Sequence, residues 1–289
     1  MSFIVSTDTS CDIFRKELSE RKIEYRPLVF VIDGVENYDE FSEDTEFKGF
    51  YDQIRAGKMP TTSQINIAEH AEFFEGLIGK YSDDIVHITL SSGLSSTYAS
   101  ACKAAEEVEQ KTGRKIYIVD SVGATIGARQ IVDEAERLRD SGATAAEAAE
   151  RLAEYARHIH TWFMPNDLMH LKRGGRVSGP AAYIGTALKI KPILYINKAG
   201  GLSVVQKVMG VNKALTTMVD IFTRDAVKTP HKVYIANADS EYAEEMRDKV
   251  KAARPDCDVE IGWIGPVIGA HTGCGAVGVS FYSEKIREI

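Results

Sequence analysis

The stretch IVHITLSSGLSSTYASA, residues 85–101, joins an apolar run to a helical pattern through a segment of small hydroxyl residues. Its first six residues predict a buried strand, and residues 95–111 have the spacing of a helix. A strand that leads directly into a helix is the repeating unit of α/β proteins. Four serines and a threonine lie within residues 91–97, between the two elements. The stretch therefore predicts a fold class and marks a candidate site.

Strand and helix patterns alternate along the rest of the chain. Predicted strands cover residues 3–6, 25–32, 85–90, 115–119, 232–237 and 259–263, with a last strand at the end of the glycine-rich segment 264–283. Predicted helices cover residues 68–80, 95–111, 127–141, 143–158, 211–223 and 241–253. Two runs flanking Lys198-Ala-Gly-Gly201 predict a β-hairpin.

The composition of the sequence changes near residue 160, where glycine-rich and basic segments replace the regular alternation of strand and helix patterns. Strand–helix–strand alternation with compact connections predicts a parallel sheet in the first half. We therefore predict two α/β domains, residues 1–160 and 161–289.

Composition limits the class of protein. The 289 residues are 44% hydrophobic and 27% charged, which is typical of a globular protein with a sizeable core. A net charge of −7 disfavours a nucleic-acid partner. The four cysteines are widely spaced and form no CxxC pair, which favours reduced thiols over zinc or disulfides. Neither a signal peptide nor a membrane span is evident, so we predict a cytoplasmic protein.

The hydroxyl cluster has several interpretations. One residue at the start of the helix would suffice for capping. The remaining hydroxyls favour a loop that faces an anion, because a helix N-terminus offers free N–H groups and a partial positive charge. A nucleotide-phosphate cradle is disfavoured, since neither G-x-x-x-x-G-K-[ST] nor a strand-linked G-x-G-x-x-G is present.

A catalytic serine is the alternative from a different class. Ser95 sits in a GLSST string that half resembles the G-x-S-x-G nucleophile elbow but lacks its second glycine. Asp120 and His271 follow in the chain order of an α/β-hydrolase triad. A chain with several Asp and His residues easily shows this order by chance, so a hydrolase stays the weaker hypothesis.

Two further segments carry groups suited to an anion. In MPTTSQIN, residues 59–66, Ser63 or Asn66 could cap the following helix, and Thr62 and Ser63 could donate to a ligand. In GPVIGAHTGCGAVG, residues 265–278, the glycines permit close backbone approach to a ligand beside His271.

Two more segments have a functional and a structural interpretation. LKRGGRVS, residues 171–178, is either a solvated turn or a cationic patch for a phosphate or an acidic partner. DTSCD, residues 8–12, could be an acidic metal loop, but its Thr and Ser more readily cap the next helix, with Asp12 complementing the helix dipole.

Taken in chain order, these motifs resemble the DegV family, which includes the FakB subunits of bacterial fatty acid kinase. The matching strings span nearly the whole chain: STDTSCD, TTSQ, SSGLSSTYASA, VDS, LKRGGRVS, IKPIL and IGPVIGAHTGCGAVG. The resemblance implies an N-terminal Rossmann-like domain, a C-terminal α/β domain and one fatty acid in a tunnel between them. It also implies a non-enzymatic, FakB-like carrier in bacterial phospholipid metabolism that presents this lipid to a separate ATP-dependent kinase and needs no cofactor or metal.

The resemblance also implies roles for individual residues. Thr62, Ser63 and either Ser92 or Ser95 would hold the fatty acid carboxylate, with His271 near the same head group. The basic stretch would make Arg173 and Arg176 a docking surface for the kinase. A lipid chaperone or sensor without a kinase stays open as an alternative, and any membrane contact would be transient.

The chain departs from the family pattern at two positions. Met209 stands where the family usually has arginine, which puts the role in phosphoryl transfer in doubt. Cys274 stands where proline is common, and a loop without proline's fixed φ is freer to move.

The chemistry of a fatty acid suits these motifs. A buried carboxylate needs several donors, and hydroxyls at a helix N-terminus supply them without a buried counter-charge. The tail needs a dry tunnel, for which the apolar residues of IKPILYI, TWFM and WIGPVI are plausible walls.

Overall fold

The computed structural model describes residues 3–40, 42–177 and 190–287. Its strands are β1 (Ile4–Asp8), β2 (Glu24–Arg26), β3 (Val29–Ile32), β4 (Val35–Tyr38), β5 (Thr61–Ser63), β6 (Ile85–Thr89), β7 (Ile116–Asp120), β8 (Ile159–Met164), β9 (Ile190–Ile196), β10 (Leu202–Met209), β11 (Lys232–Asn237), β12 (Asp258–Trp263) and β13 (Val277–Tyr282). Its helices are α1 (Arg15–Glu20), α2 (Asp44–Arg55), α3 (Ile67–Lys80), α4 (Thr97–Thr112), α5 (Ile126–Asp140), α6 (Ala145–Arg157), α7 (Leu168–Arg173), α8 (Val211–Asp225), α9 (Ala243–Ala253) and α10 (Pro266–Thr272).

The first half contains the predicted parallel sheet, in the order β2-β1-β6-β7. Side chains alternate between its two faces, as the period of a strand requires. Val5 and Val86 pack with α5 and α6 on one face, whereas Ile4 and Ile85 pack with α3 and α4 on the other. Burial on both faces explains the nearly continuous apolar runs of β1 and β6.

The second half forms a mixed sheet in the order β10-β9-β8-β13-β11-β12. Among the strands of this sheet that the structure describes, only β11 and β12 pair in parallel, and the predicted hairpin joins β9 to β10. Helices α8 and α9 cover one face of this sheet through the core that contains Met218, Phe222 and Met246. The fold class of the prediction is confirmed, while the domain boundary at residue 160 stays a prediction.

The strand predicted for residues 25–32 is wrong in extent. It is two strands separated at Pro27-Leu28, and β2 joins the parallel sheet, whereas β3 joins a small antiparallel sheet in the order β4-β3-β5. Proline has no N–H to donate to a ladder, which suits a break between two sheets. Phe30 of β3 then packs in a core shared with Phe50 and Val267, so this small sheet connects distant parts of the chain.

The structure also tests the predictions about helix capping and shows elements that were not predicted. Asn66 caps α3 by accepting from Glu69 N at 3.0 Å, as one interpretation of MPTTSQIN predicted. In DTSCD the cap is Asp8, which accepts from Ser10 N, whereas Asp12 adopts the left-handed conformation at the end of the short turn. Helices α2, α7 and α10 and strands β4, β5 and β8 were not predicted.

The hydroxyl segment after β6 packs tightly against the β9–β10 turn. Ser91 Oγ donates to Gly200 O at 2.9 Å. A Cβ added to Gly93 would lie 2.3 Å from Ala199 O and 2.5 Å from Gly201 N. A Cβ on Gly200, whose φ is +76°, would lie 1.9 Å from Ser91 Oγ. Glycine is therefore required on both sides of this contact.

We predict that Gly93→Ala lowers the free energy of unfolding by about 1–3 kcal/mol, because backbone must move to admit the new methyl group. Gly76→Ala is the matched control. Gly76 lies inside α3 with nothing within 4 Å of an added Cβ, so alanine there should be neutral or stabilising by up to about 1 kcal/mol. Urea denaturation of both variants measures the difference, and equal midpoints would contradict the prediction.

Candidate ligand-binding cavity

A cavity of about 560 Å³ lies beyond the carboxyl ends of β6 and β7, between the parallel sheet, the mixed sheet and α10. This volume is within the range of sites that hold a small organic ligand. The carboxyl edge of a parallel sheet is where α/β proteins bind ligands. The apolar lining residues come from both halves of the chain: Leu28, Leu90, Leu94, Ala124, Phe163, Leu171, Ile196, Leu202, Ala236, Ile264, Val267 and Ile268.

The wall segments proposed from sequence supply much of this lining. IKPILYI contributes Ile196, TWFM contributes Phe163, and WIGPVI contributes Ile264, Val267 and Ile268. Strand alternation explains the selection in TWFM, because Phe163 faces the cavity side while Trp162 packs in the core beneath α8.

The predicted head-group residues Thr62, Ser63, Ser92, Ser95 and His271 all line this one cavity. They reach it from three separate segments: β5, the loop between β6 and α4, and α10. Sequence positions more than 200 residues apart thus converge on one place. The structure establishes their placement, and their role in binding stays a prediction.

The serines of the hydroxyl segment have different local partners. Ser95 Oγ accepts from Thr97 N at 3.2 Å and bonds Thr97 Oγ1 at 2.9 Å, so it satisfies the first turn of α4. Ser96, the formal N-cap, makes no side-chain cap bond. Ser92 is held through its backbone N–H, which donates to the Asp120 carboxylate at 3.2 Å. Ser95 thus has a capping role, whereas the Ser92 hydroxyl makes no recorded bond within the described residues.

His271 lies in the last turn of α10, which corrects the prediction of a glycine-rich loop there. Its Nε2 and Thr62 Oγ1 are 2.9 Å apart. Burial, reinforced by the charge of Arg176, lowers the pKa of His271 to about 4, so the ring is neutral at pH 7. A Cβ on Gly174 would lie 2.2 Å from His271 Nδ1, so the double glycine lets the basic segment pack on the ring.

The two arginines of the basic segment occupy different positions. Arg176 lines the cavity, and its Nε donates to Leu94 O at 3.4 Å. Arg173 is exposed and outside the lining, with Nη1 3.5 Å from Met59 Sδ. Arg176 is therefore placed to meet a ligand, whereas Arg173 faces solvent. Ser178, the end of the predicted segment, lies outside the described residues.

The hydrolase triad is not assembled in the described residues. Ser95 Oγ bonds Thr97, the Asp120 carboxylate accepts from Ser92 N and Val122 N, and His271 Nδ1 is buried with no partner. A triad needs serine bonded to histidine and histidine bonded to the acid. Neither link is recorded, which disfavours the serine hydrolase.

Metal binding and membrane insertion find no support in the described residues. No group of three or more His, Cys, Asp or Glu side chains could hold a metal ion there, so DTSCD is not part of such a cluster. No helix within those residues is long and apolar enough to cross a bilayer.

A family model described as "Uncharacterised protein, DegV family" matches residues 2–284. The chain belongs to the DegV family. It is 34% identical over 285 residues to a DegV domain-containing protein of Clostridium perfringens, covering 98% of each chain. It is 30% identical to the crystal structure of DegV, a fatty acid binding protein from Bacillus subtilis, with a TM-score of 0.86 over 98% of this chain and 100% of that one.

A more distant structure shares the fold. The Streptococcus pneumoniae Fatty Acid Kinase (Fak) B3 protein, loaded with linoleic acid, superposes with a TM-score of 0.84 over 98% of this chain and 100% of that one. Its sequence identity is 18%, so the likeness shows the fold alone. The resemblance to the DegV family and to a FakB fold, predicted from the motifs, is confirmed.

The two departures from the DegV pattern lie away from the cavity lining. Met209 ends β10 and is 65% exposed, so arginine at this position would face solvent. Cys274 is half-buried after α10, with Sγ donating to Tyr51 O at 3.2 Å. Neither residue belongs to the candidate head-group seat, by which we mean the part of the cavity lined by Thr62, Ser63, Ser92, Ser95 and His271.

Some polar lining residues were not singled out from sequence. Gln64 and Ser96 lie inside quoted motifs, so counting every polar residue of those strings would have found them. Thr161 begins the quoted TWFM string and shares a strand face with Phe163, whereas Thr125 and Asn197 lie in turns without a distinctive pattern. Only the packing of the sheets brings these two turns to the cavity.

We predict that His271→Gln flattens the rise of stability between pH 4 and pH 6.5. The native ring has a pKa of about 4, below the ordinary value of about 6.5. Between these values the unfolded chain binds more protons, so His271 makes stability rise with pH by up to about 3 kcal/mol. Urea midpoints of both proteins across this range test the prediction, and parallel curves would contradict it.

Proposed function

We propose that this DegV protein is a carrier that binds one long-chain fatty acid in the cavity, with its carboxylate at the hydroxyl residues. The convergence of Thr62, Ser63, Ser92, Ser95 and His271 on a single apolar cavity carries the proposal. The Bacillus subtilis relative, described as a fatty acid binding protein, supports it.

The head-group seat has suitable electrostatics for an anion. Ser95 and Ser96 at the start of the 16-residue α4 line the cavity, so the positive end of the helix dipole is directed at it. Arg176 adds a full positive charge at the exposed rim. A neutral His271 can still donate through Nε2–H or accept from Thr62. The seat thus combines neutral donors inside with a cation at its edge.

The apolar lining provides for the tail. Each buried CH₂ contributes roughly 0.8 kcal/mol, so a 16-carbon chain would gain about 10 kcal/mol before ordering costs. This gain is large enough for the lipid to stay bound through purification.

Presentation to a kinase is the second part of the proposal. A partner would transfer the γ-phosphoryl group of ATP to the bound carboxylate, which forms an acyl phosphate and releases ADP. The sequence has no phosphate-loop motif, which supports placing phosphoryl transfer on a separate protein. Arg173 is exposed and lies three residues before Arg176, which lines the cavity. It is the proposed docking contact for the kinase.

We predict that the purified protein carries a mass increment equal to a long-chain fatty acid in native mass spectrometry. Thr62→Ala and Ser92→Ala should each weaken oleate binding about 10- to 100-fold, because a hydrogen bond to a charged group is lost. Thr61→Ala is the matched control, since Thr61 lies on the same strand, is exposed and does not line the cavity.

A protein that is free of lipid and takes up neither oleate nor palmitate would overturn the carrier proposal. Labelling of Ser95 by a fluorophosphonate probe would instead favour the hydrolase. Equal losses in Thr61→Ala and Thr62→Ala would point to damage to β5 rather than to a ligand contact.

We predict that the two arginines separate binding from presentation. With the ATP-binding subunit of a bacterial fatty acid kinase supplied in trans, Arg173→Ala should slow acyl phosphate formation about tenfold at low salt and leave oleate affinity unchanged. Arg176→Ala should weaken oleate binding itself, because Arg176 lines the cavity.

Exposed Arg151 on α6 serves as the control for loss of surface charge. If wild-type protein binds oleate but supports no acyl phosphate formation, the lipid chaperone or sensor replaces the kinase-linked carrier. If Arg151→Ala slows the reaction as much as Arg173→Ala, the docking contact is wrong.

A further inference from the structure

A buried hydroxyl cluster lies on the wall of the cavity, apart from the candidate head-group seat. Thr161 of β8 lines the cavity and is 4% exposed. It pairs across the sheet with Ser280 of β13, which is fully buried and does not line the cavity. Gln130 of α5 covers the pair. This cluster has no part in the function proposed above.

The hydrogen-bond partners in the cluster can be counted. The Gln130 amide donates to Ser280 Oγ at 2.7 Å and to Ile126 O at 3.3 Å. Ser280 Oγ and Thr161 Oγ1 are 2.8 Å apart, and either can be the donor. Within the described part of the chain, no further acceptor is recorded for either hydroxyl. Two hydroxyl protons therefore share one hydrogen bond.

Thr161 lines the cavity and Ser280 does not, and this difference decides which of the two hydroxyl protons is left without an acceptor. If Thr161 donates to Ser280, the Ser280 proton is buried in the protein core without an acceptor. A buried donor without a partner is costly. If Ser280 donates to Thr161, the remaining proton belongs to Thr161, the residue of the pair that lines the cavity. The second arrangement leaves no donor stranded in the core.

The neighbouring backbone leaves room for this hydroxyl. Gly127, in the first turn of α5, would place a Cβ only 2.8 Å from Thr161 Oγ1. The glycine therefore allows Thr161 to stand at the cavity wall with its hydroxyl between the sheet and the helix.

We propose that Thr161 presents a hydrogen-bond donor to the bound acyl chain, and that the cavity therefore prefers a fatty acid carrying an oxygen, such as a hydroxyl, at that depth. This inference rests on the fatty acid function proposed above and names the ligand class within it. A plain hydrocarbon would dehydrate the Thr161 donor without replacing its bond, whereas a chain oxygen would accept the proton.

The test compares stearate with hydroxystearates that carry the hydroxyl at successive chain positions, each displacing a fluorescent fatty acid. One position should bind about tenfold more tightly than stearate, equivalent to about 1.4 kcal/mol. Thr161→Val, which keeps the shape but removes the donor, should abolish that preference and bind stearate more tightly than the wild type, because the chain no longer dehydrates a donor. Ser280→Ala should keep the preference, because Thr161 retains its proton.

Each other outcome has a definite meaning. If stearate binds and no hydroxystearate binds more tightly, the inference fails and the carrier function stands. If Thr161→Val keeps the preference, the donor is not Thr161 and the inference fails. If neither stearate nor any hydroxystearate binds to the wild-type protein, the inference fails, and the carrier function fails with it when oleate and palmitate do not bind either. Stearate binding by Thr161→Val shows that this variant is folded.

Discussion

The contact between the loop after β6 and the β9–β10 turn determines how the two large sheets meet. Gly93 packs against the backbone of the turn, Gly200 packs against the Ser91 side chain, and the Ser91 hydroxyl donates to Gly200 O. Side chains larger than hydrogen at either glycine would separate the two segments. Because Ser92 follows Ser91 directly, the contact also sets where the candidate head-group seat lies relative to the apolar part of the same cavity.

A second connection runs through a strained segment after β7. Val122 and Thr125 are β-branched and have positive φ values of 47° and 52°, a conformation that such residues rarely adopt. Hydrogen bonds from the backbone oppose the strain: Val122 N donates to the Asp120 carboxylate at 2.7 Å, and Thr125 N donates to Ser10 O at 2.6 Å. Thr125 lines the cavity, so the strained backbone shapes its wall.

Much of the fold was predictable because the buried strands and long amphipathic helices carry strong periodicity. The unpredicted elements share a weakness of signal. Strand β5 has only three residues, all hydroxyl-bearing, and it forms because β3 offers a free edge. Helix α10 is seven residues long and begins at Pro266 in a segment whose glycines suggested a loop. Strand alternation puts Thr161 on the same face of β8 as Phe163, but no local pattern reveals that β8 packs beneath α5.

The cost of burying an unpaired charge explains why the candidate head-group seat uses hydroxyls rather than a buried cation. A buried arginine or lysine would be costly in any state without the ligand, because a charge removed from water needs a partner. Neutral Thr62, Ser92 and His271 carry no such cost, and hydroxyls can rotate to suit water or an anion. Among the described residues that line the cavity, only Arg176 carries a full positive charge, and it is exposed so that water solvates it. A seat of this kind would tolerate loading and emptying, which the proposed carrier function requires.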